Sequence, residues 1–185
     1  MNKTYTMEIA GLKRDLPLFP VSDDLYIAAF IMFGDVEITC ACAKALLEKA
    51  PEHDIMITAE SKGIPLLYEM ARQNGENNYI VARKSKKVYM EDVVYTEVDS
   101  ITTEHQQRLC IGKKEIDEIR GKKVLIVDDV ISTGESLAAL ETLVNQVGGE
   151  IVGKMAVLAE GDAVNRTDIT YLAPLPLFDK DGNVK

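Results

Sequence analysis

KKVLIVDDVISTGES, running from Lys122 to Ser136, carries the pattern around which the rest of the chain is arranged. Val124 to Val127 is an apolar run with β-branched members, the composition of a strand buried on both faces. Two adjacent acids follow, Asp128 and Asp129. A turn of small hydroxyl-bearing residues comes next, with Ser132, Thr133, Gly134 and Ser136. Leu137, Leu140, Val144 and Val147 then recur at helical spacing. A strand, an acidic tip, a small-residue loop and a helix start make a layout suited to an anion. The free N–H groups of the loop and of the helix N-terminus point at such a ligand. The acids then serve another part of it, ribose hydroxyls or a divalent cation. The strand is not followed by G-x-G-x-x-G, so the dinucleotide fingerprint is excluded. G-K-S/T is absent too, which excludes the Walker loop.

Working outward, strands and helices alternate. Residues 5–10 read as a short strand, and Leu16 to Pro20 as an extended loop, because prolines interrupt it. Asp23 and Asp24 read as caps of a helix over Leu25 to Phe33. A second helix spans Ile38 to Lys49 and stops before Pro51. Asp54 to Ala59 is a strand, Glu60 to Gly63 a loop, and Ile64, Leu67, Tyr68 and Ala71 mark a helix face that ends at Asn74-Gly75. Tyr79 to Ala82 is the next strand. Residues 83–121 are polar and irregular, with a hairpin near Lys87 to Thr96 and an extended piece near Leu109. The motif strand covers 123–128, and its helix ends at Gly148-Gly149. Ile151 to Ala159 and Ile169 to Leu172 complete the strands. The alternation predicts an α/β fold with a mostly parallel central sheet flanked by helices. Ligands of such sheets sit at the carboxyl ends of the strands. The loops 60–63, 83–87 and 128–136 are therefore expected to converge.

The bulk numbers agree with one domain over 1–185: 46% of the residues are hydrophobic and 28% charged. A net charge of −9 speaks against general affinity for nucleic acid. The N-terminus has no long apolar core of a signal peptide. Ala28 to Phe33 is too short to span a membrane. Cys40, Cys42 and Cys110 have no metal-site spacing and read as structural thiols of a reducing, cytoplasmic compartment. The tail from Asp179 to Lys185 reads as frayed.

The motif closely resembles the diphosphoribosyl-binding signature of type I phosphoribosyltransferases: apolar residues, two acids, two residues, Thr-Gly and a hydroxyl residue. Further stretches resemble the adenine-type branch of that family. Glu60-Ser61-Lys62-Gly63 matches its pyrophosphate loop, with Lys62 where arginine is common. Arg83-Lys84 matches the end of the following strand, and Lys87 a later basic position. Glu104, ahead of Leu109-Cys110-Ile111, matches the acid of a mobile hood, and Glu97 competes for that place. The branch's base-enclosing segment is replaced by Gly11 to Pro17, so the first 34 residues form a divergent hood beside a core of about 35–175.

The resemblance implies 5-phosphoribosyl-1-pyrophosphate as donor, magnesium, a purine base as acceptor, adenine first, and a homodimer. It places the 5′-phosphate on Val130, Ile131, Ser132, Thr133, Gly134, Glu135 and Ser136. Ribose and the cationic transition state fall to Asp128 and Asp129, and magnesium to the donor near them. Pyrophosphate falls to Glu60 through Gly63, Arg83, Lys84 and Lys87, and the base proton to Glu104. The composition of residues 85–107 predicts a segment that closes over the site. The alternative is a regulatory protein of the same fold that senses the donor with little or no catalysis.

Overall fold

The computed structural model describes residues 3–96 and 108–185. The elements run β1 (Thr4–Ile9), β2 (Leu12–Ser22), β3 (Leu25–Ala28), α1 (Val36–Leu47), β4 (Ile55–Ala59), α2 (Ile64–Gln73), β5 (Ile80–Ala82) and β6 (Val94–Tyr95). They continue with β7 (Cys110–Ile111), α3 (Lys113–Ile119), β8 (Lys123–Ile131), α4 (Glu135–Gln146), β9 (Glu150–Glu160) and β10 (Thr170–Leu175).

The central sheet has the order β10-β9-β8-β4-β5, and every pairing in it is parallel. This is the α/β architecture that the alternation predicts. β8 lies in the middle, so successive side chains enter opposite cores. Leu125 and Val127 pack with α1 and α2, through Ile38, Cys42, Leu46, Leu67 and Met70. Val124 and Ile126 pack with α3 and α4, through Ile119, Leu140, Leu143 and Val144. An apolar run without alternation is the mark of this two-sided burial. Burial pushes the Cys42 thiol up to about 12 and also raises Cys110. Burial of this kind disfavours a reactive thiolate at either position.

The hood differs from its sequence reading. Leu25 to Phe33 is not a helix. β1, β2 and β3 form a three-stranded antiparallel sheet, with Ser22 paired to Leu25 across the Asp23-Asp24 turn. The segment obeys a period of two: Ala28, Phe30 and Met32 are buried, while Ile31 and Phe33 are 52% and 58% exposed. Leu16 to Pro20 is strand rather than loop. Pro17 sits at the end of the β1 ladder, opposite Thr4, and its carbonyl still accepts the Ala29 N–H at 2.9 Å. Proline is tolerated where a ladder ends. The β1–β2 turn uses Ala10 and Gly11, both at positive φ, the twist that a two-residue hairpin loop demands.

Other boundaries move too. β6 pairs with β7, not within a local hairpin, and Arg83 bridges to Cys110. Met90 and Thr96 are buried, so the described part of the segment after Ser85 is anchored to the core. α3 escapes the sequence reading because seven residues hold little periodicity; Ile116 and Ile119 are its buried positions. The tail is not frayed. Phe178 is fully buried and bridges Tyr26 and Val184, and Asp179 accepts hydrogen bonds from Asp181 and Asn183. Among the described residues, no helix is long and apolar enough to cross a membrane.

Candidate active site

The acids of the motif lie inside a strand, not at an exposed tip. β8 continues through them because β9 keeps pairing, with Val130 opposite Leu158 and Ile131 opposite Ala159. Asp128 and Asp129 are 7% and 3% exposed. Asp128 Oδ1 accepts the Asp129 N–H at 2.9 Å and faces the Ser61 hydroxyl at 3.4 Å. Burial, and then the neighbouring Asp129 charge, push the Asp128 carboxyl well above the usual carboxylate range. Asp129 Oδ2 lies 3.0 Å from the Lys62 ammonium, close as an ion pair though without the alignment of a hydrogen bond.

The loop after β4 is pressed onto these acids. A Cβ on Gly63 would stand 2.7 Å from Thr58 Oγ1 and 3.1 Å from Asp128 Oδ1, so only glycine lets the backbone approach. Ser61 and Lys62 thereby reach Asp128 and Asp129. Lys62 also donates to the Phe30 carbonyl at 3.0 Å, which ties the site to the hood.

After β8 the chain forms a cavity of about 90 Å³, lined by Asp128 and by Val130 through Leu137. Gly134, at φ +82°, turns the chain into α4. The first-turn N–H groups of α4 have no intrahelical acceptors, an arrangement that suits an anion of phosphate size. Thr133 Oγ1 accepts the Glu135 N–H at 3.5 Å.

The basic residues after β5 converge on Glu60. Its Oε2 accepts the Lys84 N–H at 2.9 Å, and its Oε1 lies 3.2 Å from Arg83 and 3.6 Å from Lys87. The Lys84 N–H, then the Arg83 and Lys87 charges, hold the Glu60 carboxyl below its ordinary range. Glu60 therefore organises the cations, and the Lys84 side chain stays exposed. The fold thus joins 60–63 to 128–129 directly, and 83–87 to them through Glu60. Glu104 and its competitor Glu97 lie outside the described residues.

Sequence reasoning misses three groups at this site. The Phe30 carbonyl carries no side-chain signal. Glu160, at the end of β9, has a carboxyl raised by burial and lowered by the facing Lys62. The third is Arg166, whose guanidinium abuts Gly134. Arg166 follows no motif, and only the β9–β10 connection brings it there.

Residues 37–172 match the model of the phosphoribosyl transferase domain. The adenine phosphoribosyltransferase of Acetivibrio thermocellus is 29% identical over 155 residues, covering 80% of this chain and 84% of that one. The xanthine phosphoribosyltransferase of Lactococcus lactis is 38% identical over 138 residues, covering 70% and 68%. The crystal structure of the adenine phosphoribosyltransferase from Thermoanaerobacter pseudethanolicus superposes with a TM-score of 0.63 at 18% identity, covering 93% and 95% of the two chains. The match to the family model over the strands that carry the site shows that the chain belongs to the phosphoribosyl transferase domain family, with the type I fold of its adenine-type branch.

Proposed function

We propose that this protein is a purine phosphoribosyltransferase that moves the phosphoribosyl group of 5-phosphoribosyl-1-pyrophosphate to adenine. The observation that carries the reading is the pair Asp128-Asp129 beside a phosphate-sized cradle. One end suits a phosphate monoester and the other suits ribose hydroxyls. The purine level follows the relatives. Adenine is the finer step, supported by the adenine-type loop Glu60 to Gly63 and by the relatives that cover most of the chain.

In this reading the loop 130–136 fixes the 5′-phosphate and so aligns ribose C1. Asp128 and Asp129 accept from the ribose hydroxyls and favour the positive charge that develops on the sugar ring. Lys62 leaves Asp129 for the departing pyrophosphate, and Arg83, Lys84 and Lys87 raise the positive potential beyond it. Glu104 takes the N–H proton of the base. Positioning and electrostatics supply more of the rate than this proton transfer, worth about 10²–10⁴-fold.

Among the described residues, no group of three or more His, Cys, Asp or Glu side chains could hold a metal. Two neighbouring carboxylates with ligand oxygens fit magnesium held chiefly by the donor, since this ion accepts few protein ligands. When bound, magnesium supplies charge neutralisation for the pyrophosphate leaving group. The homodimer belongs to the same proposal, and sedimentation tests it.

The deciding experiment incubates the protein with donor, magnesium and a panel of purines, and follows nucleotide and pyrophosphate. Adenine nucleotide formed with equimolar pyrophosphate is the expected result. Product from xanthine or guanine only would overturn the adenine step. Donor binding with no product from any base would turn the reading to a donor sensor.

A further inference from the structure

Arg166 follows the 3₁₀ turn Gly161–Asn165 beyond β9. Asp168 grips it in a fork: Nε donates to Oδ1 at 2.9 Å and Nη2 to Oδ2 at 2.7 Å. Lys154 binds the same carboxylate and also reaches Glu141 of α4 at 2.9 Å. A bidentate fork sets the plane of a guanidinium. It leaves Nη1 outside the pair, and among the described residues Nη1 donates to no acceptor. Nη1 lies 2.8 Å from the point that a Cβ on Gly134 would occupy. The guanidinium therefore stands against the backbone of the cradle at its glycine.

Charge balance gives this position a meaning. Among the described residues, the cavity is lined by hydroxyl and apolar side chains, by backbone and by two acids, Asp128 and Glu135, with no cation in the lining. A phosphate monoester brings about −1.5 to −2 more charge at neutral pH. Helix N–H dipoles offset only about half a charge. Lys62 is engaged with Asp129 on the pyrophosphate side. Among the described residues, the cation set against the cradle is Arg166.

We propose that Arg166 is a binding residue for the 5′-phosphate, held in place by Asp168 and Lys154, and that it serves this phosphate and not the pyrophosphate. The proposal rests on the phosphoribosyl reading of the site and adds a residue outside its motif. It also gives Gly134 a second reason to lack a side chain, since a Cβ would strike the guanidinium as well as strain the backbone.

The test is calorimetric binding of ribose 5-phosphate and, separately, of pyrophosphate with magnesium, to the full chain and to Arg166→Gln and Asp168→Asn. Thermal unfolding of each variant is followed alongside. Arg166→Gln should weaken ribose 5-phosphate by about ten- to hundredfold, the range of a lost charged hydrogen bond, and leave pyrophosphate within about twofold. Asp168→Asn keeps the cation but loosens the fork, so its loss should be smaller, and Arg166→Lys should restore part of the affinity. Unchanged ribose 5-phosphate affinity in Arg166→Gln would overturn the proposal. So would an equal loss for both ligands with a lowered melting temperature, which would make Arg166 a structural strut. A wild-type chain that binds neither ligand would overturn the phosphoribosyl reading itself, and this inference with it.

Discussion

Asp128 is a carboxyl that the fold prefers uncharged. Burial and the adjacent Asp129 push it up to about 7. The folded chain then holds a proton that the unfolded chain has already released above about pH 4. Stability from this group falls as pH rises from about 4 towards 7. Asp128→Asn keeps an oxygen for the Asp129 N–H and removes the buried charge. The empty variant should be more stable than wild type at pH 8 by about 1–3 kcal/mol, with the gain vanishing near pH 4. Melting curves across that range check it; a gain that persists at pH 4 would contradict the titration. The same change combined with Asp129→Asn should nearly abolish turnover in a folded protein, and near-normal rate and donor affinity would refute the assignment of both acids. Lys62→Ala should weaken the complete donor about ten- to hundredfold. Because Lys62 also faces Asp129, some loss for ribose 5-phosphate is expected, but a smaller one. Calorimetry with the two ligands compares them, and equal losses would confine Lys62 to the acids.

At the scale of elements, the turn from β8 into α4 depends on one backbone conformation. Gly134 has φ +82°, which a side chain disfavours by about 1–2 kcal/mol. Gly134→Ala adds a contact with Arg166 Nη1. The variant should lose about that much stability and lose ribose 5-phosphate affinity strongly, with pyrophosphate binding little changed. Urea unfolding together with calorimetry separates the two effects. α1 depends instead on a cap. Asp35 Oδ1 accepts the Ile38 N–H at 3.1 Å, and Arg14 from β2 pairs with the same carboxylate at 2.7 Å. Hydrogen bonding from Arg14 holds this carboxyl below its ordinary range. Asp35→Ala should cost about 0.5–2 kcal/mol at neutral pH. A group with a depressed folded pKa stabilises only above its unfolded value, so the difference should shrink as pH falls below about 4. A constant difference down to pH 2 would place the effect elsewhere.

Across the whole molecule, the ends of the chain close on each other. Phe178 is fully buried, pairs with Tyr26 of β3, and its ring lies 4.9 Å from that of Tyr5 on β1. The tail beyond it folds back, with the Lys185 N–H on the Leu177 carbonyl at 2.9 Å. The hood is thus built from the first strands and the last residues together, and Lys62 joins it to the acids through the Phe30 carbonyl. Phe178→Ala should cost about 3–5 kcal/mol, read by urea unfolding, and should raise hydrogen exchange in β1 and β3 more than in β8. A uniform rise over the whole chain, or a loss under about 1 kcal/mol, would show that the hood does not depend on this ring.

The amino-acid sequence alone marked the parallel core and the place of the proposed phosphate cradle. Val124 to Val127 is apolar on both faces, Gly134 can take a left-handed turn, and helix spacing resumes at Leu137; each signal is local and needs no distant partner. It also marked Glu60 to Gly63 as a loop, and the resemblance to the adenine-type branch implied a pyrophosphate role for it. Tertiary structure decided the rest. The hood strands were hidden because Leu25 to Phe33 is apolar on both parities, and only packing distinguishes buried Phe30 from exposed Ile31. The motif strand outran its predicted end because β9 lies alongside and supplies hydrogen bonds past the acids. Lys62 on Asp129, the basic residues on Glu60 and Arg166 on Gly134 are contacts between remote positions in the chain. Their existence follows from strand order and register, and spacing along a sequence carries no record of which loops a sheet will bring to one edge.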